Sequence, residues 1–238
     1  MNIKAKELLQ KQYPFKIEMH AHSSPCSHCS EVAPERVVEL YKEKGYDAIV
    51  LTNHFHDVFI KDKQQAIAAQ IDDYNRAVEA GKKFGLQVLL GTEVKFQENG
   101  NDYLVYGVDE EILSVLFDYF PKGLEAFRKE VSLPNSVFLQ AHPFRPHCVR
   151  MDAELLDGIE VFNLHPHHNS NAQAAMEYAA MHPEFILSAG SDFHHEQPGH
   201  CGSTALLSST LPTDSFAVAT ILKSGDYLFR LHDSIFTP

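Results

Sequence analysis

Phe15-Lys16-Ile17-Glu18-Met19 is a short β-compatible run that leads directly into His20-Ala21-His22. The same conjunction, an apolar run closed by ligand-type side chains, recurs down the chain. Tyr46 to Thr52 ends on Asn53-His54, Leu86 to Leu90 is followed by Glu93, and Val137 to Gln140 by His142. Ile159 to Phe162 is followed by Asn163, and Phe185 to Ala189 by Asp192-Phe193-His194. Tyr103 to Val108 completes a set of seven strands. Helix-like segments lie between many of them. Pro34 to Lys44 places Val37, Val38 and Tyr41 on one face with Pro34 suited to a first turn and Gly45 as a stop. Asp62 to Phe84 spaces Ile67, Ile71, Tyr74 and Val78 at helical intervals, and a further helix carries Ala172, Ala175, Met176 and Ala179. Such alternation argues for βα units around a parallel sheet. The tail adds Ala205-Leu206-Leu207 and a helix near Phe216 to Lys223. With no repeat and no Pro- or Gly-rich linker, residues 1–238 read as one α/β barrel-like domain whose motifs span about 15–204.

In parallel α/β folds the C-terminal strand ends converge on one face, where ligands bind. Six segments would therefore deliver polar groups to one site. Residues two apart on a strand point the same way, so His20 with His22, and Asp192 with His194, can each grip one ion. Imidazole suits Zn, Fe, Mn, Cu or Ni, while a carboxylate can bridge two ions; Glu93 is the natural bridge.

Composition agrees. The chain of 238 residues carries 15 His against 5 Met and no Trp, an excess that needs a chemical reason. Its 20 Lys and Arg against 32 Asp and Glu leave a net −12 with no basic run, which excludes an extended nucleic-acid surface. Four cysteines are too few for a disulfide framework, and Cys26 and Cys29 lack the second CxxC of a structural zinc site. They are expected to pack the loop around His28. Met1-Asn2-Ile3-Lys4-Ala5-Lys6-Glu7 lacks the core of a signal peptide, and no stretch reaches about 18 apolar residues, so we expect a soluble cytoplasmic protein with no membrane partner.

His20-Ala21-His22-Ser23, Thr52-Asn53-His54, Gly91-Thr92-Glu93, Ala141-His142-Pro143 and Gly190-Ser191-Asp192-Phe193-His194 occur in the order and approximate spacing of the polymerase and histidinol phosphatase (PHP) family, which the chain resembles over most of its length. The resemblance implies a distorted TIM-like (β/α)7 barrel, two or three divalent ions of Zn, Fe or Mn, and hydrolysis of phosphate esters. It implies His20, His22, Glu93 and Asp192 around a first ion, Glu93 and His142 at a second, and His28, His54 and His194 around a third. Asn53 departs from the family's Asp, and the family's histidine on the fourth strand is missing, with Asp102 the nearest replacement. Arg145, three residues after His142, resembles the arginine of the HPxR pattern; its planar guanidinium could fork onto a phosphate. Among His165, His167, His168, His195 and His200, the last is favoured as leaving-group acid or substrate contact because it follows the Asp192 motif. Asn163 is a candidate for orienting substrate or a ligand.

The expected function is a metal-dependent phosphatase or phosphoesterase acting on a small phosphorylated substrate through a hydroxide shared by two ions. No GxSxG elbow or Walker A loop suggests another route. The rivals are an amidohydrolase-like hydrolase of the same barrel type, bridged by a modified Lys95, and a non-catalytic metal-binding or regulatory protein.

Overall fold

The structure is a computed structural model that describes residues 3–58 and 60–238. In chain order its elements are α1 (Ile3–Gln12), β1 (Phe15–Ala21), α2 (Pro34–Glu43), β2 (Ala48–Leu51), β3 (His54–Phe55), α3 (Lys63–Phe84), β4 (Gln87–Val94) and β5 (Tyr103–Tyr106). They continue as α4 (Glu110–Tyr119), α5 (Leu124–Glu130), β6 (Val137–Gln140), β7 (Gly158–Asn163), α6 (Ala172–Met181) and β8 (Ile186–Gly190). The last are β9 (Thr204–Ser208), α7 (Ser215–Ser224), β10 (Tyr227–Leu231) and β11 (Ser234–Phe236).

The strands anticipated from the apolar runs lie side by side in the order β1-β2-β4-β5-β6-β7-β8, with the two-residue β3 extending the sheet beside β4. Most neighbours are parallel, as the βα alternation suggests. β5 is the exception, antiparallel to both β4 and β6. Residues 95–102 joining β4 to β5 are too few for a parallel crossover, which takes about a dozen or more. This reversal has a functional consequence. Asp102, immediately before β5, comes to the same end of the sheet as the residues that follow the other strands.

The sheet curls until its two ends meet. The first half of β1 pairs antiparallel with β9, from Phe15 opposite Ser208 to Ile17 opposite Leu206. Its second half instead meets the chain just past β8: Ala21 bridges Phe193, and the His22 N–H donates to the Phe193 carbonyl at 2.9 Å. A Cβ on Gly190 would stand 2.2 Å from the His20 Cβ, so only glycine permits this approach. Barrel closure is therefore concentrated at the mouth, and β9, β10 and β11 continue outward as an antiparallel meander.

Two apolar layers hold this shape. The larger fills the barrel with Met19, Val50, Leu89, Tyr106, Phe138 and Ile159 among others. The second packs α2 and α3 on the sheet through Val37, Val38, Tyr41, Ile49, Ala77 and Phe193. Each large side chain so buried contributes about 1.5–3 kcal/mol relative to exposure. α2 starts on Pro34 and buries the expected face. α3 is capped by Asp62, which accepts from the Gln65 N–H at 2.9 Å, and stops at Gly85 in the left-handed region. Its deepest stripe is offset from the expected one: Ala66, Gln70, Asp73, Ala77 and Ala80 face inward, while Ile71, Tyr74 and Val78 are half-buried. Small alanines let the helix sit close, so Gln70 and Asp73 reach the loops beside the histidines.

Candidate metal centre

The alternation of β1 puts His20 and His22 on one side, both fully buried. Glu93 enters near the end of β4, and Asp192 from the turn after β8. His20 Nε2 lies 3.0 Å from His22 Nε2 and 3.4 Å from both Glu93 Oε2 and Asp192 Oδ1. His22 Nε2 lies 3.2 Å from Glu93 Oε2 and 3.3 Å from Asp192 Oδ1. Four ligands placed tetrahedrally at about 2.0–2.1 Å from an ion stand about 3.3–3.4 Å apart, so five edges of this tetrahedron match a metal-sized hole. Glu93 Oε2 supplies an independent test of fit. It is buried without a hydrogen bond, yet also lies 3.0 Å from His54 Nδ1. An acceptor-only oxygen in that position, ringed by imidazole nitrogens, is satisfied by a cation.

Two further groups share these residues: His54, Glu93 and Asp102, and His22, His54 and His194. Members of each keep their ligand atoms within 4.8 Å of one another. His142 Nε2 contacts the other Glu93 oxygen, Oε1, at 3.1 Å. Glu93 thus faces several imidazoles with both oxygens. The turn after His22 buries Cys26, Ser27 and Ser30 and leaves His28 more exposed, lining a cavity shared with His54, while His22 is the residue grouped most tightly with His54 and His194.

The protonation pattern shows what the cluster needs. Burial alone would lower His20 and His54, but Glu160, Asp192 and Glu93 around His20, and chiefly Glu93 around His54, hold both well above the ordinary imidazole range. Burial would likewise lower His142, yet Cys148 and Glu93 push it up to about 9. Burial opposes ionisation of Glu93 and Asp192, and is outweighed by His20 together with His54 and His142 at Glu93, and with His22, His194 and Arg145 at Asp192. Both carboxyls fall well below their usual range. Protons on the histidines supply the positive charge that a bound ion would otherwise bring.

The surrounding residues fix the ligands. Glu160 Oε1 accepts from His20 Nδ1 at 2.8 Å, leaving Nε2 turned to the cluster, while Oε2 accepts from the His142 N–H and the Asn163 amide. Ser27 Oγ contacts His22 Nδ1 at 3.1 Å and is itself held by Asn53 Oδ1 at 3.0 Å. Asp73 accepts from Ser23 Oγ and the Cys26 N–H. Asn53 therefore faces the Ser23 and Ser27 loop. Arg145 donates through Nη2 to Asp192 Oδ2 at 2.5 Å and Asn163 Oδ1 at 2.8 Å, so Asn163 orients Arg145 and Glu160 together. His200 does not take the place expected for a substrate contact. It is fully buried, with Nε2 3.0 Å from the Ser191 and Asp192 carbonyls, because the loop after Phe193 folds it beneath the Asp192 turn. Asp192 and His142 have φ of 53° and 31°, a strained region for non-glycine residues that such supports maintain.

The PHP domain family model matches residues 18–183, which include all the strand-end motifs except the last. The chain belongs to the PHP family. It is 26% identical over 156 residues to the PolC-type DNA polymerase III of Oceanobacillus iheyensis; the match covers 64% of this chain but 9% of the polymerase. A candidate metal-dependent phosphoesterase from Bifidobacterium adolescentis shares its fold, with TM-score 0.54, 18% identity and coverage of 87% of this chain and 95% of the other. So does a two-domain protein from Bacteroides vulgatus containing a predicted PHP-like metal-dependent phosphoesterase, with TM-score 0.62, 18% identity, 93% of this chain and 66% of the other, just under two thirds. Those neighbours place the curled sheet among the distorted barrels expected of PHP proteins. Among the described residues no helix is long and apolar enough to cross a membrane.

Glu160 is the supporting residue that sequence spacing undervalues, although a charged residue inside the buried strand Gly158–Asn163 was a visible signal. Glu18, equally buried in β1, collects the N–H groups of Met19, His20 and Ser191 and ties β1 to the Asp192 turn. Glu160→Gln should weaken metal affinity about 10- to 100-fold, as loss of a ligand-orienting carboxylate generally does, without unfolding the chain. Titration with zinc against a competing chelator measures it; unchanged affinity would show that His20 needs no such support.

Proposed function

We propose that this PHP protein is a phosphoesterase that hydrolyses a small phosphate ester, with His20, His22, Glu93 and Asp192 holding one divalent ion of Zn, Fe or Mn. Glu93 with His142, His54 and Asp102 would hold a second, and His22 or His28 with His54 and His194 a third. The observation that carries this reading is Glu93, whose two oxygens face four imidazoles while Oε2 accepts no hydrogen bond. Bound ions supply Lewis acidity toward phosphoryl oxygens and acidify water near neutral pH. In the overall reaction the P–O bond to the alcohol breaks, a P–O bond from water forms, and one water proton ends on the leaving oxygen.

The chain's own groups bind and orient. A basin of about 400 Å³ over the cluster is lined by Arg145, His142, His165, His168, Asp192 and His194 among others, cationic or hydrogen-bonding groups suited to a phosphoryl group. Arg145 spends Nη2 on Asp192 and Asn163 and Nε on Ser170, which fixes its plane at the basin wall and leaves Nη1 as a preorganised donor for an anionic oxygen. The rim imidazoles of His167, His168 and His195 are the groups able to pass a proton to the leaving oxygen. Burial pushes His165 down to about 3, so it is neutral at pH 7 and serves as hydrogen-bond partner. The amidohydrolase reading loses its bridge: Lys95 pairs with Asp102 at 2.7 Å, and Glu93 occupies the centre.

Elemental analysis combined with phosphomonoester, phosphodiester, carboxylic ester and amide panels tests the proposal. Two or three ions per chain and turnover of phosphate esters are expected. Less than about one ion after reconstitution, or turnover confined to carboxylic esters or amides, would overturn it. Arg145→Lys keeps the charge and can still meet Asp192, but its single nitrogen cannot hold Asp192 and Asn163 and also present a fixed donor to the phosphoryl group. Its kcat/KM should fall about 10- to 100-fold at level metal content. A parallel loss of metal would restrict Arg145 to holding Asp192.

A further inference from the structure

A second cavity, of about 290 Å³, opens on the other side of His54 and meets the phosphoryl basin at Cys29, His54, Lys95 and Asp102. Its character differs. The basin is lined by histidines and Arg145; this cavity carries His28, His54 and His56 on one side but adds an apolar wall from Cys26, Phe55, Ile60, Ala66 and Ala69, which the basin lacks. Phe55 and Ala66 are buried parts of the core, so that wall is preformed. Apart from histidines, the charged side chains among its described lining residues are Lys95 and Asp102, and they neutralise each other at 2.7 Å. Gln70, also in the lining, spends its amide donors on the Asn53 and His54 carbonyls. Among the described lining residues a second phosphate would find no unpaired lysine or arginine and an ammonium no unpaired carboxylate, whereas an apolar group would gain from leaving water against the Phe55, Ile60, Ala66 and Ala69 wall.

Resting on the phosphoesterase reading, we propose that this cavity receives the organic moiety of the substrate, and that the substrate class is a phosphate monoester of an uncharged, largely apolar alcohol of up to about two fused rings. Size sets the upper bound: an apolar cavity of about 150 Å³ accommodates benzene, and this one is about twice as large. His54, common to both spaces and to two of the candidate ion groups, marks where the phosphoryl and apolar parts join. Specificity then follows from the tail, because the basin grips the phosphoryl group common to all such esters.

Phosphonates with a constant head group separate the tail from leaving-group chemistry. Calorimetry on the metal-loaded protein should show naphthylmethylphosphonate binding at least about tenfold more tightly than 3-hydroxypropylphosphonate, a difference typical of burying an apolar ring. Propylene-1,3-bisphosphonate should bind no better than the hydroxypropyl compound. Ala69→Leu, which fills the cavity from a half-buried position of α3, should bring the naphthyl-to-hydroxypropyl ratio to within about twofold of one, the change expected when no ring can enter. Ile60→Asn, which makes one lining group polar, should lower the same ratio. Metal content and circular dichroism establish that each variant is folded and loaded. Equal affinity for all three compounds in the parent, or a naphthyl preference that survives both substitutions, overturns the assignment of the cavity. Hydrolysis of no phosphate ester with either tail, despite selective phosphonate binding, overturns the phosphoesterase reading and leaves the apolar pocket standing.

Discussion

Glu93→Gln is expected to remove more than one ion at a time and to reduce phosphoesterase turnover by about a thousandfold or more, beyond the 10- to 100-fold typical of residues that only orient a ligand. The substitution keeps the size of the side chain and removes its charge. Three imidazole nitrogens, from His20, His22 and His54, lie within 3.4 Å of Oε2, and His142 meets Oε1 at 3.1 Å. An amide oxygen can replace one of these oxygens as a weak ligand, but the amide nitrogen then points its hydrogens at the remaining imidazoles and repels a cation. Loss should therefore be correlated across sites. His28→Ala, by contrast, should lose at most one ion, because His28 lies at the surface while His20, His22, Glu93 and Asp192 remain together. Metal stoichiometry on both variants beside the parent, with circular dichroism as a folding control, distinguishes the cases. Equal metal loss in the two variants, or retained turnover in Glu93→Gln, would mean that Glu93 does not bridge.

Much of this site was legible because its ligands follow apolar strands, and strand ends converge for geometric reasons independent of the helices between them. Periodicity does not encode direction, so the reversal of β5, which brings Asp102 to the cluster, is visible only in the brevity of residues 95–102. The offset face of α3 has a similar origin. Ile67, Ile71, Tyr74 and Val78 have the stronger apolar signal, but alanines permit closer packing and carry Gln70 and Asp73 inward. Spacing also cannot say which side of a turn a side chain takes. For that reason His28 and His22 differ in burial and His200 ends beneath the backbone of Asp192. α1, β10 and β11 went unread: α1 is a mostly polar ten-residue helix, and β11 is a three-residue, largely exposed edge strand. None of these differences displaces the core of the site, since His20 and Glu93 lie within β1 and β4, and His22 and Asp192 come one and two residues past the ends of β1 and β8.

Chelation should lower the melting temperature by about 15–30 °C at pH 8, and by clearly less at pH 5.5. Each ion bound only to the folded chain, at a free concentration about a thousand times its dissociation constant, contributes about 4 kcal/mol. Two ions would therefore contribute about 8 kcal/mol, and each kcal/mol shifts a domain of this size by about 2–4 °C. The pH dependence follows from the histidines. In the metal-free chain His20 and His54 are held well above the usual range and His142 is pushed up to about 9, against an unfolded value of about 6.5. Folded values raised in this way give stability that is fully present below about pH 6.5 and lost as pH rises through the folded values. Glu93 and Asp192, depressed by the same neighbours, hold their share above the unfolded carboxylate range of about 4 and lose it only as pH falls through their lower folded values. Through these pairs the metal-free chain weakens as pH rises from about 6.5 toward 8, while His56, His165 and His194, which burial pushes down to about 4, 3 and 2, cost it stability as pH falls below about 6.5. Ion binding runs the other way, since imidazoles must shed protons before they ligate, and affinity climbs over the same interval. The two curves should diverge with rising pH, which scanning fluorimetry with and without chelator can follow. A gap that shrinks between pH 5.5 and 8, or a melting temperature indifferent to chelation, would show that protons rather than ions are the charges this cluster is built to hold.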